Sequence, residues 1–122
     1  MVDSKKAQAV VWALLTATLL LMPGLPEGSG PDWIPAALKP VADKVLHAFL
    51  FLVLVLLTNR AVRGRASSLN TLGSILVLLV GFVVLLEVGQ LWVPNRTFDP
   101  ADILAGLAGI LLATLWILAK FR

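Results

Sequence analysis

The chain has no cysteine and a single histidine among its 122 residues. Without thiols, disulfides and thiolate metal centres are excluded, and cysteine usage says nothing about redox compartment. One histidine with scattered carboxylates lacks a diagnostic metal-ligand spacing, so neither a metal nor another cofactor is expected. Charged residues are few, at 14%. The basic ones flank apolar runs, so the net charge of +3 carries no nucleic-acid signal. There is no internal repeat and no low-complexity tract.

What remains is mostly hydrocarbon. Hydrophobic residues make up 59% of the chain, against roughly 45–50% in soluble domains, and mean hydropathy is +0.94. The excess falls in four runs, giving expected spans at about residues 7–23, 41–59, 72–93 and 102–119. A bilayer core of ~30 Å takes about 20 helical residues. The expected fold is therefore all-α, a polytopic four-transmembrane-helix bundle forming one domain over residues 1–122. The first run follows Lys5 and Lys6, as a signal peptide would. It is followed by Met22-Pro23-Gly24-Leu25-Pro26 rather than a small-x-small site, so an uncleaved span is expected.

The connections are punctuated. Pro23, Gly24, Pro26, Gly28, Gly30, Pro31 and Pro35 break the first, where Asp32 and Trp33 suit an interface. The ends of the spans divide the charge. Lys5, Lys6, Arg60, Arg63, Arg65, Lys120 and Arg122 gather on one side with Asp3 as the lone acid. Lys39, Lys44 and Arg96 share the other with Glu27, Asp32, Asp43, Glu87, Asp99 and Asp102. The positive-inside rule makes both termini cytoplasmic.

Alternation then brings the costly residues to one outer end. Asp43, Lys44 and His47 open span 2, Glu87 and Gln90 close span 3, Arg96 and Asp99 lie in the next loop, and Asp102 opens span 4. Lys44 and His47 are i, i+3 and share a face, as are Glu87 and Gln90. Asp43 stands four residues before His47 and can orient its ring N–H. Glu87 lies deep enough to need a cation, with Lys44 or Arg96 as the natural partner. Four carboxylates face two cations, an excess that calls for a shared proton, a protonated His47 or a bound cation. His47, Glu87 and Asp102 are the acid–base candidates. Asp43, Lys44, Gln90, Arg96 and Asp99 are the binding candidates. Thr97 is the sole nearby hydroxyl, which argues against a serine-type nucleophile.

Each residue has a structural alternative. Asp102 can cap span 4, Asp99-Pro100 can form a turn, and Arg96 and Lys44 can snorkel. Ala105-x-x-x-Gly109 is a small-x-x-x-small pattern that suits close helix packing, within the bundle or between copies in a homo-oligomer.

The series Asp43-Lys44-x-x-His47, Glu87-x-x-Gln90-x-x-x-Pro94-x-Arg96 and Asp102 with Gly109 downstream resembles the VanZ-like family of small membrane proteins. Phe51 departs from that pattern where an aromatic hydroxyl is common, and Gly106 departs where an Asn is common. The family takes its name from a protein associated with resistance to the glycopeptide teicoplanin. The resemblance implies a multi-pass protein of the bacterial plasma membrane with a cell-envelope or antibiotic-response role, and supplies no reaction. Two readings follow. One is a site that binds or acts on a lipid-linked anionic envelope precursor or a lipid headgroup. The other is a non-enzymatic bundle whose ionic residues fix helix register.

Overall fold

The computed structural model describes residues 4–21, 35, 38–62, 69–94 and 99–120, and regular structure among them is all helical. Helix α1 spans Ser4–Leu21, α2 Lys39–Val62, α3 Leu69–Gly89 and α4 Pro100–Lys120. Arg96, Thr97, Asp3, Glu27, Asp32, Trp33, Arg63, Arg65 and Arg122 lie outside the described residues.

Sequence explains where the helices stop and start. After α3 the chain tightens into a 3-10 turn at Gln90–Trp92, and Val93 leaves it extended at φ −98° and ψ 129°. Val93 precedes Pro94, whose ring disfavours helical backbone in the residue before it. Helix α4 begins with Asp99 as its cap, where Oδ1 accepts the Ala101 N–H at 2.9 Å. Pro100 takes the first helical position, where a missing N–H is harmless.

Three helical stretches are long and apolar enough to cross a membrane: Val41–Val62, Asn70–Trp92 and Pro100–Lys120. Helix α1 falls outside that set because its 18 residues begin with Lys5, Lys6 and Gln8. The surface carries large apolar side chains all round, with Val77 at 75% exposed, Leu78 at 72% and Leu104 at 66%. The buried residues include Thr16, His47, Glu87, Gln90, Asp102 and Thr114. Apolar outside and polar inside is the arrangement expected where lipid replaces water. Thr16 and Thr114 donate to carbonyls one turn back, Trp12 and Ile110, so neither hydroxyl is stranded.

Helices α2 and α4 share the closest interface. A Cβ on Gly109 would overlap the Ala48 carbonyl of α2 and lie 3.0 Å from its Cα, so only glycine permits this approach. With lipid around the bundle, such backbone proximity, rather than exclusion of water, drives helices together. Gly109 is buried against α2 of the same chain, while Ala105 on the same stripe is half-buried and Ala108 exposed. Leu50, Leu54, Val55, Ile75, Val83 and Ile110 fill the core between α2, α3 and α4. Helix α1 joins mainly through α2, where the Trp12 indole donates to the Leu50 carbonyl at 2.9 Å.

Contacts at the two ends establish the alternation. Arg60 donates to Gln8 at 3.4 Å, placing the finish of α2 beside the start of α1. At the other end meet the finish of α1, the start of α2, the finish of α3 and the start of α4.

Candidate functional site

Lys44 organises that second end. Its Nζ donates to Asp99 Oδ2 at 2.8 Å and to Asp102 Oδ1 at 2.7 Å, bridging 55 and 58 residues of chain. The Lys44 side chain is 29% exposed, that of Asp99 44% and that of Asp102 7%, so the bridge runs from the surface to the interior. Asp99 lies outside the membrane-crossing stretches, and the Lys44 hydrogen bond, helped by the Ala101 N–H, holds its carboxyl below the usual carboxylate range.

Glu87 is buried, as its depth in α3 requires. Of the two cations expected as its partner, Arg96 lies outside the described residues and Lys44 is spent on Asp99 and Asp102. Glu87 Oε1 accepts the backbone N–H of Asp99 at 2.9 Å. That amide precedes the first turn of α4, where donors lack intrahelical acceptors. A carboxylate there finds both an N–H and the positive end of the helix dipole.

His47 lies at the floor, with its side chain 3% exposed. Nδ1 lies 2.9 Å from the backbone carbonyl of Asp43. A carbonyl can only accept, so Nδ1 carries the proton and Nε2 is the second, outward nitrogen. The expected orientation by Asp43 is thus achieved by its main chain. Its carboxylate stands 3.9 Å from Nδ1, beyond hydrogen-bond range, and at 39% exposed faces the rim. Nε2 is fully buried and has no hydrogen-bond partner among the described residues. The nearest acid atom to it is Asp102 Oδ2, at 3.8 Å.

Gln90 reaches elsewhere. Its amide donates to the Leu20 carbonyl at 2.7 Å, satisfying one of the orphan carbonyls that end α1. Sequence reasoning put Gln90 beside Glu87 but gave no sign of this tie. The structure brings together Asp43, Lys44, His47, Glu87, Asp99 and Asp102, with Gln90 as a neighbouring brace.

Beneath the site, Phe51 and Gly106 meet. A Cβ on Gly106 would lie 3.1 Å from Phe51 Cδ2 and 3.1 Å from Val83 Cγ1. Phe51 packs edge-on to Phe82, ring centroids 6.1 Å apart. The two departures from the VanZ pattern are therefore one feature, an apolar floor in which an aromatic ring occupies the space beside a glycine.

An all-helical protein with membrane-crossing helices and a buried acid–histidine–lysine cluster at one end belongs among small integral membrane proteins. The VanZ/LLP1 family profile matches residues 5–121, and the chain belongs to that family. No curated protein and no solved structure matches the chain.

Proposed function

We propose that this is a multi-pass protein of the bacterial plasma membrane whose polar pocket takes the headgroup of a lipid-linked anionic substrate. In this reading α1 is a fourth span, both termini are cytoplasmic and the pocket faces outward. Val11 and Leu14 of α1, 63% and 64% exposed, support the span by presenting apolar side chains outward. The uneven split of basic residues supports the orientation. The family's association with teicoplanin resistance supports a cell-envelope setting.

The observation that carries the reading is His47. A fully buried imidazole nitrogen without a partner among the described residues costs free energy unless a further polar group meets it, and a bound headgroup would supply one. The His47 ring lies 3.9 Å from the Asp43 carboxylate and 3.8 Å from that of Asp102, and the Asp43 and Asp99 side chains at the same end are partly exposed. At the boundary of an apolar bundle, lipid headgroups present polar atoms at this depth. His47, Glu87 and Asp102 are the acid–base candidates. Lys44 fixes the carboxylates, and Arg96, which lies outside the described residues, is the cation we assign to a phosphate.

The test is binding of lipid monophosphates and diphosphates to the protein in nanodiscs of zwitterionic lipid, with headgroup release followed in parallel. Saturable binding is expected, lost in His47→Ala and weakened about tenfold in Arg96→Ala, the loss of one charge-assisted contact. Equal binding by all three proteins would sink the proposal.

A second reading has its own support. The Lys44 bridge and the Glu87–Asp99 hydrogen bond knit α2, α3 and α4 together, as a register-fixing network would. Under it, neutral isosteres at Glu87 and Asp102 lower stability, and no lipid phosphate binds.

A further inference from the structure

We infer that the floor of this pocket is a divalent-cation site, made by His47 Nε2, Asp102 and the Asp43 carboxylate and suited to Zn²⁺. One ligand atom from each of these three residues, a ring nitrogen for His47, lies within 4.8 Å of the others, with the Asp43 carboxylate approaching from the Nδ1 side at 3.9 Å. The distance that matters most is 3.8 Å, between His47 Nε2 and Asp102 Oδ2. It is too long for a hydrogen bond. It is shorter than a Zn–N and a Zn–O bond laid end to end, ~4.1–4.3 Å, so one ion can touch both atoms. A closure of roughly 0.4 Å brings them to tetrahedral separation.

The imidazole is prepared for this. Its Nδ1–H donates to the Asp43 carbonyl at 2.9 Å, which leaves Nε2 as the nitrogen whose lone pair can take a ligand. Metal-bound histidines are held in this way, by a carbonyl or carboxylate on the other nitrogen. The Nε2 that would bind the ion is the buried atom left without a partner among the described residues. Asp102 divides its oxygens, giving Oδ1 to Lys44 and leaving Oδ2 toward the imidazole.

Charge points the same way. Among the described residues the cluster sets Asp43, Glu87, Asp99 and Asp102 against Lys44 alone. Two of those carboxylates, Glu87 and Asp102, are buried. Buried anionic groups in a membrane bundle need positive charge nearby. One imidazole and two carboxylates form a nitrogen–oxygen donor set that suits zinc, with three protein ligands and one open position. Asp43, at the rim, gives the ion its way in.

What the ion does rests on the headgroup reading: an acidic floor repels a phosphate, and a cation in the open position receives it. Whether the ion binds is independent of that reading. The experiment therefore uses Zn²⁺ alone, with no lipid phosphate. Tag-free protein in detergent is stripped with chelator, dialysed against Zn²⁺, and its metal counted by mass spectrometry.

About one zinc per chain is expected for the wild type, with occupancy in His47→Gln below about a tenth of that. Asp43→Asn changes an exposed carboxylate that has no hydrogen bond to another described residue, so the fold should survive. Its zinc affinity should fall about tenfold or more, at least what loss of an outer-shell partner costs. As His47 is the only histidine, the imidazole ¹⁵N spectrum is a single-site readout. Zinc should shift Nε2 and leave Nδ1 bonded.

No retained zinc, or equal retention by wild type and both variants, overturns the site. An unshifted Nε2 resonance overturns it too. If His47→Gln does not fold, Asp43→Asn and the ¹⁵N shift decide. Zinc binding without lipid-phosphate binding leaves the cation site standing and removes the headgroup reading alone.

Discussion

Lys44 decides what the acids around it can do. Spacing in the sequence puts it within reach of Glu87, Asp99 and Asp102, but a four-carbon stem reaches all three equally well. Only the packed geometry selects Asp99 and Asp102 and leaves Glu87 to an amide. Asp43 was legible as the residue that orients His47, yet periodicity could not distinguish its carbonyl from its carboxylate. Lys44→Met leaves Asp102 buried without its cation. We expect a loss of about 1–3 kcal/mol, less than for a fully buried pair because the ammonium is partly exposed, read by thermal unfolding in detergent. Glu87→Gln keeps an oxygen that can accept the Asp99 N–H, so its loss should stay below about 1 kcal/mol. Asp99 gives a pH test. Its folded pKa is depressed by Lys44, so its contribution is complete above the unfolded value of ~3.9 and is lost as pH falls through the lower folded value. The melting temperature of wild type should therefore drop below about pH 4 more steeply than that of Asp99→Asn, which keeps the helix cap but not the charge.

At the scale of helices, most of the architecture was readable. Apolar runs located the four elements to within a few residues of their observed ends, because proline and charge mark where an apolar helix must stop. The 3-10 finish of α3 follows from Pro94, but its tie to α1 through Gln90 does not, since no local pattern names a partner 70 residues away. The small-residue stripe of α4 was visible, and its occupant was not. Gly109→Ala should force α2 and α4 apart and cost about 2 kcal/mol or more, the scale of overpacking. Gly81→Ala, where nothing lies within 4 Å of the added carbon, should be neutral or gain up to about 1 kcal/mol from helix propensity. Comparable losses in the two variants would contradict the close approach. Phe51 and Gly106 form a second pair. Gly106→Ala alone presses on the Phe51 ring, and Phe51→Leu should relieve it, so a double-mutant cycle should give a coupling above about 0.5 kcal/mol.

The molecule presents large apolar side chains on its surface while burying Glu87 and Asp102, and the absence of cysteine makes its topology directly measurable. Ser4→Cys and Asn70→Cys lie at exposed starts of α1 and α3, and Pro94→Cys is exposed beyond α3. With four spans and cytoplasmic termini, an impermeant maleimide should label Pro94→Cys in intact cells and spare the other two until the membrane is opened. Labelling of Ser4→Cys together with Pro94→Cys would place α1 outside the bilayer. The Lys44–Asp102 bridge has a further consequence for biosynthesis. Its partners are 58 residues apart, and among the described residues the acids outside α2 that meet Lys44 or His47, Asp99 and Asp102, come from the last stretch of chain. While the ribosome is still making α4, α2 must wait with an ammonium and an imidazole unanswered at the membrane boundary. Arrival of the final helix then completes the polar cluster, so a chain truncated before its Asp99 cap lacks both carboxylates that pair with Lys44.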